Sequence, residues 1–427
     1  MGKILYLIYG SIIVGIFAVI HIIFPRAWSI WLRDFDAFLI SPLNGFGILL
    51  GVGIFLFFAF VLLYGVNFFA SFGKIKYPPD SENFTPAISM LIPAFNEENV
   101  IGNTFESLLK LNYPKAELEV IVIASGSNDK TVDICEQYQD RLNLKILTDP
   151  LPKKGKPAAL NLGLRHVSHE IICVYDADTE FEPDTLRYIV RHLSNPEIVA
   201  TSGPVLVRNW NDNVLTRGIA LEYTYLSGTG LFHEIRATLG RSQWIMGRNY
   251  AIRKKVLEEF GGWREDALTE DLHLSAQLWK AKKKIGYTPE ARIYEKVPTT
   301  FEVLKKQRRR WIGGYKQDLG AAMELDKRTV ILRNFGMMHY GNEADFSLGA
   351  VVTAIIFSLI GEFYLMLICL TIFGFIFITI INAVRKYGNG KYRLLLYYLV
   401  FIFIDLLMFT TQFKSIKDLE WEKTSLE

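Results

Sequence analysis

The stretch Ile171-Ile172-Cys173-Val174-Tyr175-Asp176-Ala177-Asp178 joins five consecutive apolar residues to two carboxylates that are separated by one residue. An apolar run of this length is expected for a strand that is buried on both faces, as in a parallel sheet. The chain must turn where such a strand ends, so both carboxylates can reach one ligand. Two aspartates with this spacing also occur by chance in loops, but here they directly follow a buried strand.

Two further apolar runs of strand length come earlier, at Ile88–Pro93 and residues 120–124. Between them, Asn96-Glu97-Glu98 is predicted to open a helix. Its apolar positions are Val100, Ile101, Phe105 and Leu108. Strands that alternate with helices predict an α/β domain with a doubly wound sheet. Ligands of such sheets collect beyond the carboxyl ends of the strands, and the polar loops of this chain follow those ends.

Two of these loops carry further candidate residues. Lys156 follows Gly155 in the segment Lys153-Lys154-Gly155-Lys156-Pro157-Ala158-Ala159-Leu160-Asn161. A lysine beside a glycine in a mobile loop can approach a diphosphate as a compact cation, although a solvated surface loop is the alternative. The loop Pro93-Ala94-Phe95-Asn96-Glu97 follows the first strand, and a simple turn with a helix cap is the alternative to a binding loop there.

A second acidic cluster is Thr269-Glu270-Asp271. Thr269 is predicted to cap a helix that runs through Leu272, Leu274, Ala276 and Trp279. An aspartate in the first turn stabilises a helix through the macrodipole, which is a structural alternative to a catalytic role for Asp271. The same dipole favours the ionised carboxylate that a general base requires. His273 is expected to be structural.

The segment Gln307-Arg308-Arg309-Arg310-Trp311 precedes a long apolar stretch. On a helix, Gln307, Arg310 and Trp311 share one face, which offers an amide, a guanidinium for a diphosphate and an indole for stacking on a sugar. The alternative is an interfacial helix whose Lys305, Lys306, Arg308 and Arg309 meet anionic lipid head groups. Both interpretations can hold on opposite faces.

The ends of the chain are strongly apolar, and half of the 427 residues are hydrophobic. Residues 4–24 and 46–70 are each long enough to span a bilayer, with a cleaved signal peptide as the alternative for the first. Residues 346–381 are expected to break near Gly361-Glu362, and residues 394–413 form another candidate span. The predicted organisation is two transmembrane helices in residues 1–72, a domain in 73–329, two or three helices in 330–415 and a tail in 416–427.

The charges and the cysteines bear on the location of the middle domain, on metal or disulfide sites and on nucleic-acid binding. Lys74 and Lys76 flank the second apolar run, so the positive-inside rule places the middle domain in the cytoplasm of a multi-pass cell-membrane protein. Cys135, Cys173 and Cys369 lack metal-ligand or paired spacing, so they are interpreted as packing residues. The net charge of +3 is unremarkable, and no nucleic-acid partner is expected.

Taken in this order, the two acidic clusters and the Gln-x-x-Arg-Trp pattern resemble the membrane-embedded inverting glycosyltransferases of family 2, which include cellulose, chitin and hyaluronan synthases. The resemblance implies a cytoplasmic nucleotide-diphospho-sugar transferase domain of the GT-A type, with a Rossmann-like α/β fold, and an α-helical transmembrane bundle. Related synthases keep a tail similar to Trp421-Glu422-Lys423-Thr424 in the cytoplasm. The basic loop of residues 385–393 instead favours a tail outside, so its side stays open.

The resemblance also implies a role for each motif. Asp178 would bind Mg²⁺ or Mn²⁺, which neutralises the leaving diphosphate, and Asp271 would take the proton of the acceptor hydroxyl with Glu270 beside it. Donor-binding residues would be Pro93, Ala94, Phe95, Glu97, Ser125, Lys156 and Asp176. The acceptor and the diphosphate would meet Gln307, Arg310, Trp311 and Gly247. Many relatives carry acids at the positions of Ala124 and Ser125, so the base is open, with uracil preferred.

The predicted activity is metal-dependent β-transfer of a hexose or N-acetylhexosamine from a nucleotide-sugar, preferably a UDP-sugar, to a glycan or lipid acceptor at the membrane. Polysaccharide synthesis is the first hypothesis. Single glycosylation of a lipid or polyprenyl phosphate is the alternative, because few spans are available to build a channel. A catalytically inactive nucleotide-sugar-binding module is a third hypothesis, and it predicts loss of an acid where Asp176, Asp178 and Asp271 are all present.

Overall fold

The computed structural model of the chain describes residues 64–79, 81–151, 155–226, 230–323, 343–359, 361 and 363–411. The predicted span at residues 4–24 lies outside these ranges, and only the helical residues 64–70 of the second predicted span lie inside them. The chain divides into two compact units. The first, called the α/β unit, comprises Ile75–Ala237, Arg241–Asp345 and Ile381–Glu427. The second comprises Met1–Lys74, Thr238–Gly240 and Phe346–Ile380.

The described elements are numbered in chain order. Strands β1 to β10 are Ile88–Pro93, Leu118–Ile123, Leu144–Leu147, Ile171–Tyr175, Glu180–Phe181, Ile198–Ser202, Val205–Val207, Asn249–Arg253, Lys284–Tyr287 and Ile293–Glu295. Helices α1 to α12 are Ile101–Leu108, Thr131–Glu136, Lys156–Leu164, Thr185–Ile189, Val214–Tyr225, Leu231–Thr238, Lys254–Glu259, Glu270–Lys280, Phe301–Met323, Glu343–Leu359, Phe363–Tyr387 and Tyr398–Thr411. Short 3-10 turns lie at Ser81–Asn83, Lys115–Glu117, Arg191–Ser194 and Tyr392–Tyr397.

The α/β unit is built on a seven-stranded sheet in the order β3-β2-β1-β4-β8-β6-β9. Strands β3, β2, β1 and β4 are parallel, whereas β8 is antiparallel to both β4 and β6. A smaller sheet has the order β5-β10-β7. The predicted α/β fold is therefore present, but the sheet is mixed. Since β8 runs against β4, its amino end meets the carboxyl end of β4.

The core of this sheet follows from the apolar runs in the sequence. Leu91, Ile121 and Val174 are almost fully buried, as strands covered on both faces require. Burying each such side chain contributes roughly 1.5–3 kcal/mol to the fold. The predicted strands at Ile88–Pro93 and Ile171–Tyr175 are confirmed, and the second strand extends over Leu118–Ile123 rather than residues 120–124.

A hydrogen-bond network links α3 to β8 through Trp263. The side chain of Asn161 in α3 donates to Trp263 O at 2.7 Å and accepts from Trp263 N at 2.8 Å. The Trp263 indole then donates to the Tyr250 hydroxyl at 2.9 Å. Gly262 has φ +83°, and a Cβ there would lie 2.4 Å from Asn161 Oδ1, so a glycine is required for this approach.

The predicted start of the helix after β1 is wrong. This helix begins at Ile101, not at Asn96-Glu97-Glu98. Asn96 has φ +54°, the left-handed conformation that Asn tolerates, and its Oδ1 accepts from Asn128 N at 2.9 Å. The loop after β1 is therefore folded onto the loop after β2 before the helix starts.

The apolar C-terminal region is divided as the sequence predicts near Gly361. Helix α10 ends at Leu359, Gly361 has φ +82°, and α11 begins at Phe363. Among the described residues, Met366–Tyr387 of α11 is the one helical stretch long and apolar enough to cross a membrane. Cys135, Cys173 and Cys369 are free and buried, in agreement with packing roles.

The last predicted span, residues 394–413, does not form one helix within the described residues. A 3-10 turn occupies Tyr392–Tyr397, and α12 begins at Tyr398. Helix α12 packs on α5, where a Cβ at Gly218 would lie 2.3 Å from Val400 Cγ1. Asp405, a carboxylate within this apolar segment, is only 2% exposed.

Candidate active site

Three carboxylates meet at the carboxyl end of β4. Asp176 and Asp178 follow this strand, and Glu295 is the last residue of β10. Strand β10 pairs with β5 in the register Tyr294 to Glu180, which brings Glu295 beside Thr179, the residue after Asp178. One oxygen from each of the three carboxylates lies within 4.8 Å of the others. We call these residues the carboxylate cluster.

Two cations contact the carboxylate cluster. The Lys156 ammonium pairs with Asp176 Oδ1, donates to Gly247 O at 2.7 Å and lies 3.9 Å from Glu270 Oε1. Lys156 is the first residue of α3 and its side chain is 17% exposed, so it is not in the mobile loop that the sequence suggested. Gly155 precedes it with φ +117°, a left-handed conformation that glycine adopts readily.

The second cation is Arg248, which the sequence analysis did not assign to the site although it did assign the neighbouring Gly247. The antiparallel register of β4 and β8 pairs Tyr175 with Asn249, so Gly247 and Arg248 lie beside Asp176. Arg248 Nη1 is 3.0 Å from Glu295 Oε2, and Nη2 donates to the Tyr223 hydroxyl at 3.0 Å. Its guanidinium also lies 5.4 Å from the ring centres of Tyr223 and Trp311. These contacts aim the charge at the carboxylate cluster.

Asp271 is held at the start of α8 with defined geometry. Its Oδ2 accepts from Gly247 N at 2.6 Å, and its Oδ1 accepts from Leu272 N at 2.8 Å. A Cβ at Gly247 would lie 3.1 Å from Asp271 Oδ2, so only a residue without a side chain fits easily. Ser275 ties the two segments together, since its hydroxyl donates to Asp271 O and accepts from Ile245 N.

The helix predicted around Asp271 is present as α8, Glu270–Lys280, but its predicted cap is not. Thr269 occupies the cap position without a side-chain cap hydrogen bond. Its side chain instead packs against Gly314 of α9, where a Cβ would lie 2.0 Å from Thr269 Oγ1. His273 is buried and its Nδ1 lies 2.7 Å from Asp318 Oδ1, which is consistent with a structural role.

Helix α9 carries the Gln-x-x-Arg-Trp pattern into the α/β unit. Within the described residues, Gln307 Oε1 and Arg310 Nε are buried without a hydrogen-bond partner. Arg310 is close enough to Glu270 to lower its pKa, in the direction opposite to the effect of burial. Trp311 lies beneath the guanidinium of Arg308, at 4.5 Å, as well as that of Arg248. The predicted face of α9 therefore borders the acidic residues of α8.

Arg308 does not fit the lipid-facing alternative. Its side chain is fully buried and forms a bidentate pair with Glu222 of α5, at 2.8 and 2.6 Å. Two charges removed from water are tolerated only when they are well paired, as here. Arg308 is thus part of the packing between α5 and α9, and only the other basic residues of this segment remain for head groups.

The loops after β1 and β2 are joined by hydrogen bonds. Ser127 Oγ accepts from Asn96 N and donates to Ala94 O, both at 3.2 Å. Glu97 N donates to Thr131 Oγ1 at 2.8 Å. Phe95 is 49% exposed, which is unusual for a phenylalanine and leaves it suited to stacking.

The other residues predicted in these loops are less accessible. Ser125 is 5% exposed, and its hydroxyl points to Leu147 O at 3.4 Å. Ala94 is 2% exposed and Pro93 ends β1. Side-chain recognition by Ser125 therefore requires its hydroxyl to rotate, whereas Phe95 needs no change.

Burial and like charge shift several pKa values in the site. Burial, with Asp176 and Glu97 nearby, raises the pKa of Asp178 to about 7. Burial raises that of Glu270 to about 7, although Lys156 opposes the shift. Burial also raises the pKa of Glu295, and the Arg248 guanidinium, which keeps its proton, opposes that effect. These acids are costly to ionise without a cation, as is common at functional sites.

The raised pKa of Asp178 predicts a stability effect of Asp178→Asn. Since the folded pKa of about 7 exceeds the unfolded value of about 3.9, wild-type stability is lost as pH rises toward 7. Asn cannot ionise, so the variant should gain about 1–2 kcal/mol over wild type between about pH 5 and pH 8, after allowing for screening. Thermal unfolding in EDTA measures this. Equal pH profiles would refute it, and Asp266→Asn, at an exposed site, is the control.

The carboxylate cluster suits a hard divalent cation. Three carboxylate oxygens within 4.8 Å match the oxygen ligands that Mg²⁺ and Mn²⁺ prefer. The sequence marked Asp176 and Asp178 but missed Glu295. A signal for it exists, since Ala291, Ile293 and Glu295 alternate toward one buried face and a carboxylate there needs a partner.

A mixed α/β sheet that gathers acids, a lysine and an arginine beyond β1, β2 and β4 has the architecture of GT-A glycosyltransferases. Residues 86–314 match the family model described as Glycosyltransferase like family 2. This match covers more than half of the 427 residues, so the chain belongs to glycosyltransferase family 2. The family resemblance predicted from the motifs is confirmed at this level.

Curated relatives differ in what they are named for. A probable glycosyltransferase, YdaM, of Bacillus subtilis is 37% identical over 54% of this chain and 55% of its own length. A poly-beta-1,6-N-acetyl-D-glucosamine synthase of Staphylococcus epidermidis is 29% identical over 62% of this chain and 64% of its own. A beta-monoglucosyldiacylglycerol synthase of Trichormus variabilis is 32% identical over 60% and 54%. The chain thus spans less than two thirds of each relative.

A solved structure shows the same fold. A mannosyltransferase from Pyrobaculum calidifontis in complex with GDP-Man and Mn²⁺ superposes with a TM-score of 0.55, covering 85% of this chain and 96% of that one. Its sequence identity is 20%, so the likeness extends to the fold alone.

Proposed function

We propose that the protein transfers a hexose or N-acetylhexosamine, with inversion, from a nucleotide-sugar to an acceptor at the membrane. The observation that carries this proposal is the joint placement of the carboxylate cluster, Lys156 and Asp271 within one network through Gly247. The reaction requires groups that bind the diphosphate of the donor and a general base that takes the proton of the acceptor hydroxyl. This network offers groups for both. The family membership of the chain supports the same reaction.

The donor would lie across the carboxyl ends of β1, β2 and β4. Phe95, which is exposed, would stack on the base, which we propose is uracil, and Pro93, Ala94, Glu97 and Ser125 would complete this end. Asp176 would contact the ribose or support a metal. Lys156 and Arg248 are the nearby cations that can neutralise the diphosphate.

A Mg²⁺ or Mn²⁺ ion held by Asp178, with Asp176 and Glu295 beside it, would stabilise the charge that develops on the leaving diphosphate. The Pyrobaculum calidifontis structure, which contains Mn²⁺, supports the choice of ion. The ion's role is electrostatic, so the proton transfer falls to the protein.

Asp271 is the proposed general base. The acceptor hydroxyl oxygen forms a bond to the anomeric carbon while the bond from that carbon to the diphosphate oxygen breaks on the opposite face. The hydroxyl proton passes to Asp271, and the electron pair of the broken bond leaves on the diphosphate. Gly247 N and Leu272 N fix the carboxylate for this step. Glu270, which is buried beside Asp271, is the second acid of the Thr269-Glu270-Asp271 segment.

Gln307, Arg310 and Trp311 are proposed to border the acceptor and the diphosphate. The buried Gln307 Oε1 and Arg310 Nε have hydrogen-bonding capacity that no described residue uses. Trp311 is covered by two guanidinium groups, so we propose that it positions Arg248 as well as contacting sugar. Gly247 provides the backbone link between Lys156 and Asp271.

Polysaccharide synthesis is the first proposal for the product, and a single addition to a lipid is the second. The Staphylococcus epidermidis relative supports the first and the Trichormus variabilis relative the second. In either case we propose a multi-pass cell-membrane protein with its α/β unit in the cytoplasm. The apolar stretch Met366–Tyr387 supports a membrane location.

The test is to incubate the purified protein in lipid with Mn²⁺ or Mg²⁺ and a panel of UDP- and GDP-sugars. Nucleotide release and product mass are measured together. We expect a ladder of sugar increments from one UDP-sugar, which identifies a polymerising enzyme and its sugar. A single increment on a lipid identifies the second candidate, and nucleotide binding without release from any donor supports the inactive module. EDTA is expected to abolish release.

A further inference from the structure

Two members of the carboxylate cluster are already paired with protein cations. Lys156 contacts Asp176, and Arg248 lies 3.0 Å from Glu295. No ion pair links Asp178 to a cation among the described residues. Three carboxylates therefore face two positive charges, and the two pairs engage carboxylates that a divalent cation would also use. A cation and these side chains are thus both drawn to the same carboxylates.

Both side chains have second partners that keep them at the site if the carboxylates are taken by a cation. Lys156 also donates to Gly247 O at 2.7 Å. Arg248 is held by the Tyr223 hydroxyl and by the rings of Tyr223 and Trp311. Its side chain is 14% exposed, so the guanidinium has little water to replace a lost carboxylate. An anion is the natural replacement partner.

We propose that Lys156 and Arg248 act as an exchange pair, which makes divalent-cation binding depend on the nucleoside diphosphate. The proposal rests on the function proposed above. A metal ion alone must displace both side chains from the cluster and leave them next to it. When a diphosphate enters together with the ion, Lys156 and Arg248 move from carboxylate oxygens to diphosphate oxygens. The protein thereby binds the two ligands cooperatively, and cooperativity between sites is reciprocal.

The sharpest consequence concerns Arg248→Met, which removes one competing charge but retains an unbranched side chain. We expect this variant to bind Mn²⁺ alone about tenfold more tightly than wild type, within the usual range of coupling energies. We also expect UDP or GDP to raise Mn²⁺ affinity less in the variant, by a similar factor. If Arg248 had a merely structural role, its loss would weaken the binding of Mn²⁺ and of the nucleotide alike. Tighter binding of Mn²⁺ alone together with a smaller effect of the nucleotide therefore distinguishes the exchange pair from a structural role.

The experiment uses the full-length protein in lipid nanodiscs. Free Mn²⁺ is measured by electron paramagnetic resonance during titration, without nucleotide and with UDP or GDP. Arg264→Met is the matched control, since Arg264 pairs with the exposed carboxylate of Asp266 away from the carboxylate cluster. Lys156→Met is a second variant that tests the other half of the pair if Arg248→Met does not fold. Arg248→Lys, which keeps the charge, should restore much of the nucleotide dependence.

The outcomes separate this inference from the proposed function. Tighter Mn²⁺ binding with weaker nucleotide coupling in Arg248→Met or Lys156→Met supports the exchange pair. Unchanged or weaker Mn²⁺ binding in the folded variants overturns the exchange pair. The proposed function still stands in that case if the wild-type protein turns over a donor. If wild type binds neither UDP nor GDP and turns over no donor, the proposed function fails and the exchange pair fails with it.

Discussion

Asp271→Asn is expected to lower sugar transfer by about 10²–10⁴-fold, the usual contribution of a positioned general base. The amide is almost isosteric with the carboxylate and can keep an oxygen toward Gly247 N, which donates to Asp271 at 2.6 Å. It cannot accept the proton of the acceptor hydroxyl. The measurement is the rate of nucleotide release with a saturating donor and acceptor.

Measurements of UDP affinity should show that Asp271 acts in catalysis and not in donor binding. We expect Mn²⁺-dependent UDP affinity in Asp271→Asn to stay within about twofold of wild type, whereas Asp178→Asn should lose it, because Asp178 belongs to the carboxylate cluster. Asp266→Asn, on an exposed surface with Arg264 as its partner, is the matched control for a lost aspartate. Wild-type turnover in Asp271→Asn would remove it from the role of base and leave its helix-capping charge as its function.

Arg308→Met is expected to destabilise the α/β unit by about 3–5 kcal/mol, because it leaves Glu222 as an unpaired buried charge. Both side chains are at most 1% exposed, and their two hydrogen bonds join α5 to α9. The loss should also disturb Trp311, whose ring lies 4.5 Å from the Arg308 guanidinium. Chemical or thermal unfolding followed by tryptophan fluorescence measures the effect.

A double variant distinguishes a lost pair from lost packing. Replacing Glu222 and Arg308 together, as Glu222→Leu with Arg308→Met, should recover most of the stability, since apolar residues of similar volume often replace a buried pair at little cost. The single substitution Arg264→Met at an exposed ion pair should change stability by less than about 1 kcal/mol. If the double variant is no better than Arg308→Met, the shape of the arginine matters more than its charge.

The local elements around the site were predictable from short stretches of sequence. The apolar run of β4 predicts a buried strand, and its position fixes where Asp176 and Asp178 must emerge. The helix predicted through Leu272, Leu274, Ala276 and Trp279 is present as α8, in which Leu274 is buried and the other three are partly exposed. These predictions succeed because a buried strand or amphipathic helix depends mostly on residues within one turn or a few positions.

Errors arose where a distant segment replaces a local interaction. Thr269 has the side chain of a helix cap, yet its hydroxyl group packs against Gly314 of α9. Arg308 has the charge of a lipid-facing residue, but Glu222 lies opposite it on α5. Neither partner is near in sequence, so propensity and helical spacing favour the wrong environment for both residues.

By itself, the sequence determined the α/β class, the family motifs, and the positions of Asp176, Asp178, Asp271 and Lys156 along the chain. Which charges meet at the site depends on how distant segments pack. The antiparallel direction of β8 delivers Arg248 to the carboxyl end of β4, and the pairing of β5 with β10 delivers Glu295. An apolar run specifies that a strand is buried but not its direction or its neighbour, because those depend on packing between segments far apart in the chain.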